Sequence, residues 1–291
     1  MPEAVFAVPG DLATPTGGYG YDRQMIAHLP ACGLAIRHLA LPGSFPDPTP
    51  ADLADTERCL AGVAAESVLV IDGLAFGALP AALVRRIRAP IVALVHHPLG
   101  LETGLSAARG DALLASERVA LSQAAATVVT SRHTGRLLCE LFDFDPARIT
   151  VAEPGVDPAP RARGSGSLPH VLAVGAVSPR KAYGDLIAAL QSLRLHPWQA
   201  TIVGSLDRAP AEAERLRRQI VDADLGGRIT LAGAVDVATL ARHYDCADLF
   251  VLASHFEGYG MVLAEAMARG IAIVTTRAGA TAETVPDDAA V

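Results

Sequence analysis

The sequence predicts an α/β protein made of two tandem, doubly wound parallel sheets. Three observations carry that expectation. Short unbroken apolar runs, such as Leu249-Phe250-Val251-Leu252, alternate with helix-like stretches along the whole chain, the pattern of strands covered by helices on both faces. A Pro/Gly/Ser stretch over residues 158–167 interrupts the alternation, where a linker is expected. The length, 291 residues, exceeds what one hydrophobic core usually serves.

In the first domain, residues 1–157, strands are expected at 4–8, 35–39, 68–71, 91–95, 127–130 and 149–152, with helices near 21–29, 51–65, 78–88, 110–124 and 132–142 between them. In the second domain, residues 168–291, strands are expected at 171–174, 200–203, 229–231, 249–252 and 271–275. Helices near 183–194, 210–223, 236–244 and 260–269 separate them. Sheets of this kind take ligands at the carboxyl ends of their strands, so a cleft between the two domains is the expected binding place.

Composition removes several classes. Hydrophobic content is 51%, charged content 19% and net charge −7, which suits a globular protein and argues against a nucleic-acid partner. The basic residues are 23 Arg and the single Lys181. No stretch is apolar enough for a transmembrane segment, and no basic start precedes an apolar run as in a signal peptide. Cys32, Cys59, Cys139 and Cys246 lie far apart, without metal-ligand spacing, and read as buried free thiols of a cytoplasmic protein. Nothing signals an oligomeric state.

The most informative stretch is Ser254-His255-Phe256-Glu257-Gly258-Tyr259-Gly260-Met261-Val262-Leu263-Ala264-Glu265. A carboxylate ends an apolar strand, two glycines follow, and a helix carries a second carboxylate. In one continuous helix, positions eight apart sit about 80° apart, so the glycines let Glu257 occupy a loop while Glu265 projects from the helix. Amides at the helix start, those of Gly260, Met261 and Val262, suit phosphate. Ionised carboxylates accept hydrogen bonds, and so suit hydroxyls. Phosphate and hydroxyls together describe a nucleotide sugar. The competing reading pairs Glu265 with Arg269 one turn on and leaves Glu257 solvated.

Three further places carry candidate chemistry. Gly17-Gly18-Tyr19-Gly20 follows the first strand and opens a helix, though Arg23 stands where a dinucleotide fingerprint needs glycine. His96-His97 ends the fourth strand, where one of the two could reach a sugar hydroxyl or phosphate; a metal reading is weak, because no third ligand is near in sequence. Gly175 to Lys181 follows the first strand of the second domain, and Arg180 with Lys181 suits phosphate oxygens. Cations at a helix start oppose its dipole, a conflict that an anionic ligand relieves. The pairs Asp143-x-Asp145 and Asp222-x-Asp224 fall after helices rather than strands, and no catalytic metal is expected.

These pieces in this order resemble glycosyltransferase family 4, retaining enzymes of the GT-B fold. Glu257-x7-Glu265 matches the family's E-x7-E element, Gly258-Tyr259-Gly260 its Gly-aromatic-Gly, and Pro179-Arg180-Lys181 its basic donor-phosphate turn. Glu153-Pro154-Gly155-Val156-Asp157 is similar to the segment before its linker. The resemblance implies a nucleotide-diphosphate-sugar donor, an acceptor of unidentified kind, no cofactor and no metal. It implies that Glu265 binds ribose and that Glu257 lies against the transferred sugar. Gly18, Arg180, Lys181 and the amides of Met261 and Val262 then hold diphosphate, with Gly258, Tyr259 and Gly260 shaping the donor turn. His97, or else His96, touches the sugar. Ala176 stands where the family often has arginine. The chain stops at Val291, where the family continues into a strand and closing helices, so a C-terminally truncated GT-B fold is expected. A nucleotide-sugar binder without turnover and a sugar-nucleotide epimerase are the alternatives.

Overall fold

The computed structural model describes residues 3–287. The chain divides into two compact units, Met1–Pro154 and Gly155–Val291. In the first, the strands are β1 (Glu3–Pro9), β2 (Ala35–Leu41), β3 (Val68–Asp72), β4 (Ile91–Val95), β5 (Ala126–Val129) and β6 (Ile149–Val151). They form one parallel sheet in the order β2-β1-β3-β4-β5-β6. Its helices are α1 (Gly17–His28), α2 (Pro50–Ala61), α3 (Gly73–Phe76), α4 (Ala81–Val84), α5 (Ala107–Ser122) and α6 (Arg132–Phe142). The core packs around the central strands: Val5, Ala7, Leu69, Ile71, Ala93 and Val95 are at most 1% exposed.

Two expectations in this unit fail for physical reasons. The first helix begins at Gly17 rather than residue 21, because the Thr16 hydroxyl accepts from the Tyr19 amide and caps it there. The glycines therefore form the helix's first turn. The helix expected over 78–88 shrinks to the single turn of α4, and the short α3 lies before that span. Pro80 precedes α4, and a proline there cannot extend the preceding turn.

The second unit holds β7 (His170–Val174), β8 (Gln199–Val203), β9 (Ile229–Gly233), β10 (Leu249–Leu252) and β11 (Ala272–Thr275). They form a parallel sheet in the order β11-β10-β7-β8-β9. Its helices are α7 (Tyr183–Ser192), α8 (Pro210–Asp222), α9 (Val237–Asp245), α10 (Met261–Met267) and α11 (Thr281–Thr284). One core lies around Tyr183, Ile187, Ile202 and Leu216, the other around Leu172, Tyr244, Phe250, Leu252 and Leu263. Part of the stretch 158–167 is fastened to this unit: the Ala162 amide donates to the Arg269 carbonyl, the Arg163 amide to that of Asp245, and the Ser165 amide to the Asp248 carboxylate. The buried-thiol expectation is corrected: Cys32 and Cys246 are exposed, Cys59 and Cys139 half-buried, and all four are free.

Strand order locates the binding edge of each sheet. Connections leave β7 towards β8 on one side and return to β10 on the other, so the crevice lies between the carboxyl ends of β7 and β10. In the first unit the order reverses between β1 and β3. Ligands of doubly wound sheets bind at such reversals.

Candidate functional site

At the reversal of the second sheet, the loops after β7 and β10 meet. The β7 loop runs from Gly175 into a 3-10 turn, Pro179–Lys181. The Tyr183 hydroxyl fixes its start by donating to the Gly175 carbonyl at 2.8 Å. The His255 amide donates to the Arg180 carbonyl at 2.8 Å and so ties the two loops together. Glu257, 6% exposed, ends in this junction. Its Oε1 accepts from Lys181 Nζ at 2.7 Å and from Ser254 Oγ at 2.6 Å. Arg180 donates to the Phe256 carbonyl at 2.8 Å and to Glu257 Oε2 at 3.3 Å.

Burial alone would raise the Glu257 carboxyl, but the charges of Lys181 and Arg180, with hydrogen bonds from Lys181 and Ser254, hold it below the usual carboxylate range. Gly279 closes over the same residue at φ +65°, and a Cβ there would overlap the Glu257 backbone. The Ala280 amide donates to the Glu257 carbonyl at 2.8 Å. Glu257 is thus an ionised, immobilised carboxylate with two cations beside it, and not a solvated loop residue.

Beyond it, Gly258 and Tyr259 lead to Gly260, which caps α10 at φ 92°, ψ 53°. The first amides of a helix, here those of Met261 and Val262, have no partner within it. Glu265 lies one turn further along α10, half-buried. Its Oε2 accepts from the Tyr244 hydroxyl at 2.7 Å. Arg269 donates to the Glu265 carbonyl at 2.8 Å and lies 4.5 Å over the Tyr244 ring. Burial pushes the Glu265 carboxyl up, against the Tyr244 hydrogen bond and the Arg269 charge.

At the reversal of the first sheet a second cluster stands. His96, directly after β4, brings Nε2 to 3.1 Å from Asp22 Oδ1 on α1 and 3.5 Å from Asp72 Oδ2 at the end of β3. Asp22 is 0% and Asp72 2% exposed. A Cβ on Gly18 would meet His96 Cδ2 at 3.4 Å, so the glycine turn rests on this imidazole. Burial would lower His96, but hydrogen bonds and charges from Asp22 and Asp72 raise it to about 10. Burial raises Asp22 to about 6, against the hydrogen bond from His96. Three ligand atoms of the metal-binding types, from Asp22, Asp72 and His96, lie within 4.8 Å of one another. Further ligand types therefore do stand beside His96 in the fold, although none is near in sequence, and His97 is not among them. His97 turns both ring nitrogens into the unit, shielded from solvent.

The structure gathers Glu257, Arg180 and Lys181 in one place and sets Gly258 to Val262 and Glu265 along the element that follows. It gathers Gly18 and His96 in the other unit. The residues missed were Ser254, Asp22, Asp72 and Tyr244. Asp72 had a usable signal, an acid ending an apolar strand, the same signal that singled out Glu257. Tyr244 had none, since α9 meets α10 only through tertiary packing.

A protein of two Rossmann-like domains, each with charged residues gathered at the reversal of its sheet, belongs structurally to the GT-B class. Solved structures of similar fold bear this out. A sucrose-phosphate synthase from Thermosynechococcus elongatus matches with a TM-score of 0.81 at 20% identity, covering 97% of this chain and 84% of that one. The Anabaena protein HepE in complex with UDP and glucose matches at TM-score 0.71 and 18% identity, over 97% and 83% of the two chains. In sequence, residues 26–160 match the family described as Glycosyltransferase Family 4, and residues 168–290 match Glycosyl transferases group 1. A D-inositol 3-phosphate glycosyltransferase from Kineococcus radiotolerans is 30% identical over 225 residues, 68% of this chain and 52% of that protein. The chain thus spans about half the length of the curated relatives it matches. It belongs to glycosyltransferase family 4. No helix among the described residues is long and apolar enough to cross a membrane.

Proposed function

We propose that the protein transfers a sugar from a nucleotide-diphosphate sugar to an acceptor with retention of anomeric configuration. The observation that carries this reading is Glu257 held between Lys181 and Arg180 at the reversal of the second sheet. Two cations against one carboxylate leave one positive charge over, which suits the anionic diphosphate. In the reading, Lys181, Arg180 and the amides of Met261 and Val262 hold the diphosphate and stabilise it as it leaves, so no metal is assigned to that step and no cofactor is needed. Glu257 faces the transferred sugar and stabilises positive charge at its anomeric carbon. Glu265 accepts from the ribose hydroxyls. Gly18 approaches the phosphates, Gly258, Tyr259 and Gly260 shape the turn beside them, and His97, or else His96, contacts the sugar.

The retaining outcome is supported by the family; as the bond to the acceptor oxygen forms and the bond to the diphosphate breaks, the departing diphosphate oxygen takes the acceptor hydroxyl's proton. UDP-glucose is the first donor to try, because HepE was solved with UDP and glucose. Inositol phosphates are the first acceptors, from the relatives' names. A thermal-shift screen against UDP-, GDP- and ADP-sugars, followed by NMR of the product's anomeric proton, tests the proposal. Binding with an α-linked product from an α-donor is expected. An inverted product removes retention, donor conversion without any acceptor supports epimerisation instead, and no stabilisation by any donor removes the nucleotide-sugar reading.

A further inference from the structure

We infer that Tyr244 is a positioning residue that presets Glu265 for a ribose diol and thereby makes the site select ribonucleotides over 2′-deoxyribonucleotides; this rests on the nucleotide-sugar reading above. Tyr244 sits on α9, is 1% exposed, and stacks on Phe250 with ring centroids 5.9 Å apart and planes at 21°. Its ring cannot move without disturbing the core. Its hydroxyl, held at a fixed point by that packing, donates to Glu265 Oε2 at 2.7 Å. Arg269 covers the other part of the arrangement: its guanidinium lies 4.5 Å over the Tyr244 ring and also donates to the Glu265 carbonyl at 2.8 Å.

The consequence is geometric. A glutamate on a helix surface samples many rotamers, and a ligand that needs one of them loses affinity for ordering the rest. Here the search is already over. One oxygen is anchored by a rigid phenol, which narrows the orientations open to the carboxylate. A carboxylate offers about four lone-pair positions. With one spent on Tyr244, the Oε1 pair and the second pair of Oε2 remain, which can accept from two adjacent hydroxyls. A diol satisfies both at once, and a deoxyribose leaves one unused. Polar sites built this way reject analogues that lack a hydroxyl. A purely structural role for Tyr244 predicts something different: loss of its hydroxyl would weaken the fold, and every ligand alike, with no change in which ligand is favoured.

The test compares UDP, GDP and ADP with their 2′-deoxy counterparts by isothermal titration calorimetry on the full chain, using wild type, Tyr244→Phe, Glu265→Ala and the double variant. Tyr244→Phe keeps the ring and its packing, so the core is preserved; circular dichroism checks this. For the nucleotide that binds, the wild type is expected to prefer ribose by roughly tenfold, a hydrogen bond to a charged group. Tyr244→Phe is expected to bring that ratio to about two or less, and to have no further effect in the Glu265→Ala background, the sign of a residue acting through another. A ribose preference that survives Tyr244→Phe overturns the inference alone. Additive losses in the double variant overturn it as well. Should the wild type bind none of the six nucleotides, the nucleotide-sugar reading itself falls and takes this one with it.

Discussion

At the reversal of the second sheet one carboxylate, Glu257, meets two cations, Lys181 and Arg180. At that of the first, one imidazole, His96, meets two carboxylates, Asp22 and Asp72. The charge left over is positive in one and negative in the other. Burial presses on both in the same direction, against ionised carboxylates, and the two units answer it differently. In the second unit cations pull Glu257 down. In the first, Asp22 rises to about 6 and the buried Glu117 to about 8. A positive surplus is open to an anionic ligand, whereas a negative surplus is met by taking up protons. The Glu257 and His96 clusters should therefore lose their contributions to stability at opposite ends of the pH scale.

The largest effect expected from breaking this contrast is on catalysis. Glu257→Gln keeps size and removes the charge opposite Lys181 and Arg180. With Glu257 facing the transferred sugar, kcat is expected to fall roughly a thousandfold, the scale of losing a stabilising charge at the reacting centre. Donor affinity should hold or tighten, because the two cations are released to the diphosphate. Steady-state kinetics beside calorimetric donor titration separate the two, and a loss mainly in affinity would assign Glu257 to binding. The variant should also lose part of the acid limb. A depressed carboxyl stabilises the fold above its ordinary value near 4.5 and that contribution drains as pH falls.

His96→Gln strikes the other cluster. It leaves two buried carboxylates without their imidazolium, and the expected destabilisation at neutral pH is roughly 3 kcal/mol. The sign of its pH dependence is fixed by the raised value: the His96 contribution is complete below 6.5 and drains as pH rises towards about 10. The gap in melting temperature between wild type and variant should therefore shrink over that window. A gap that stays flat over that window would mean that His96 is neutral in the fold.

Lys181→Ala should be smaller still. Removing one of two cations is expected to weaken UDP by roughly tenfold, about one charge-assisted hydrogen bond, and to leave uridine unchanged. Equal weakening of both would move Lys181 from phosphate binding to support of the Glu257 loop.

How far these clusters could be read beforehand follows from how each is made. The parallel sheets were legible because buried strands such as Ile91–Val95 are apolar on both faces. Glu257, Arg180 and Lys181 were legible as types at strand ends, but their meeting was not. It depends on β10 returning beside β7, which only the topology decides. Asp22 lay within an expected helix, and no period marks which of its residues faces His96. The helix start at Gly17 was missed because a threonine cap overrode the poor helix propensity of glycine.

Glu117 gives the sharpest statement of how the first unit treats charge. It is 1% exposed on α5, accepts from the Leu99 amide at 3.0 Å, and its Oε1 is buried without a hydrogen-bond partner. Among the described residues no cation offsets it, so burial raises it to about 8, against the Leu99 hydrogen bond. The sign follows: its share of stability is complete below 4.5 and drains as pH rises through that value. Glu117→Gln imitates the protonated form, keeps an acceptor for Leu99 and does not titrate. Relative to wild type it should gain about 1.4 kcal/mol for each pH unit between roughly pH 5 and pH 8, read from melting temperatures across that range. A difference that stays flat would mean Glu117 is ionised in the fold. The first unit would then hold a buried carboxylate with neither a proton nor a cation, and its contrast with Glu257 would no longer stand.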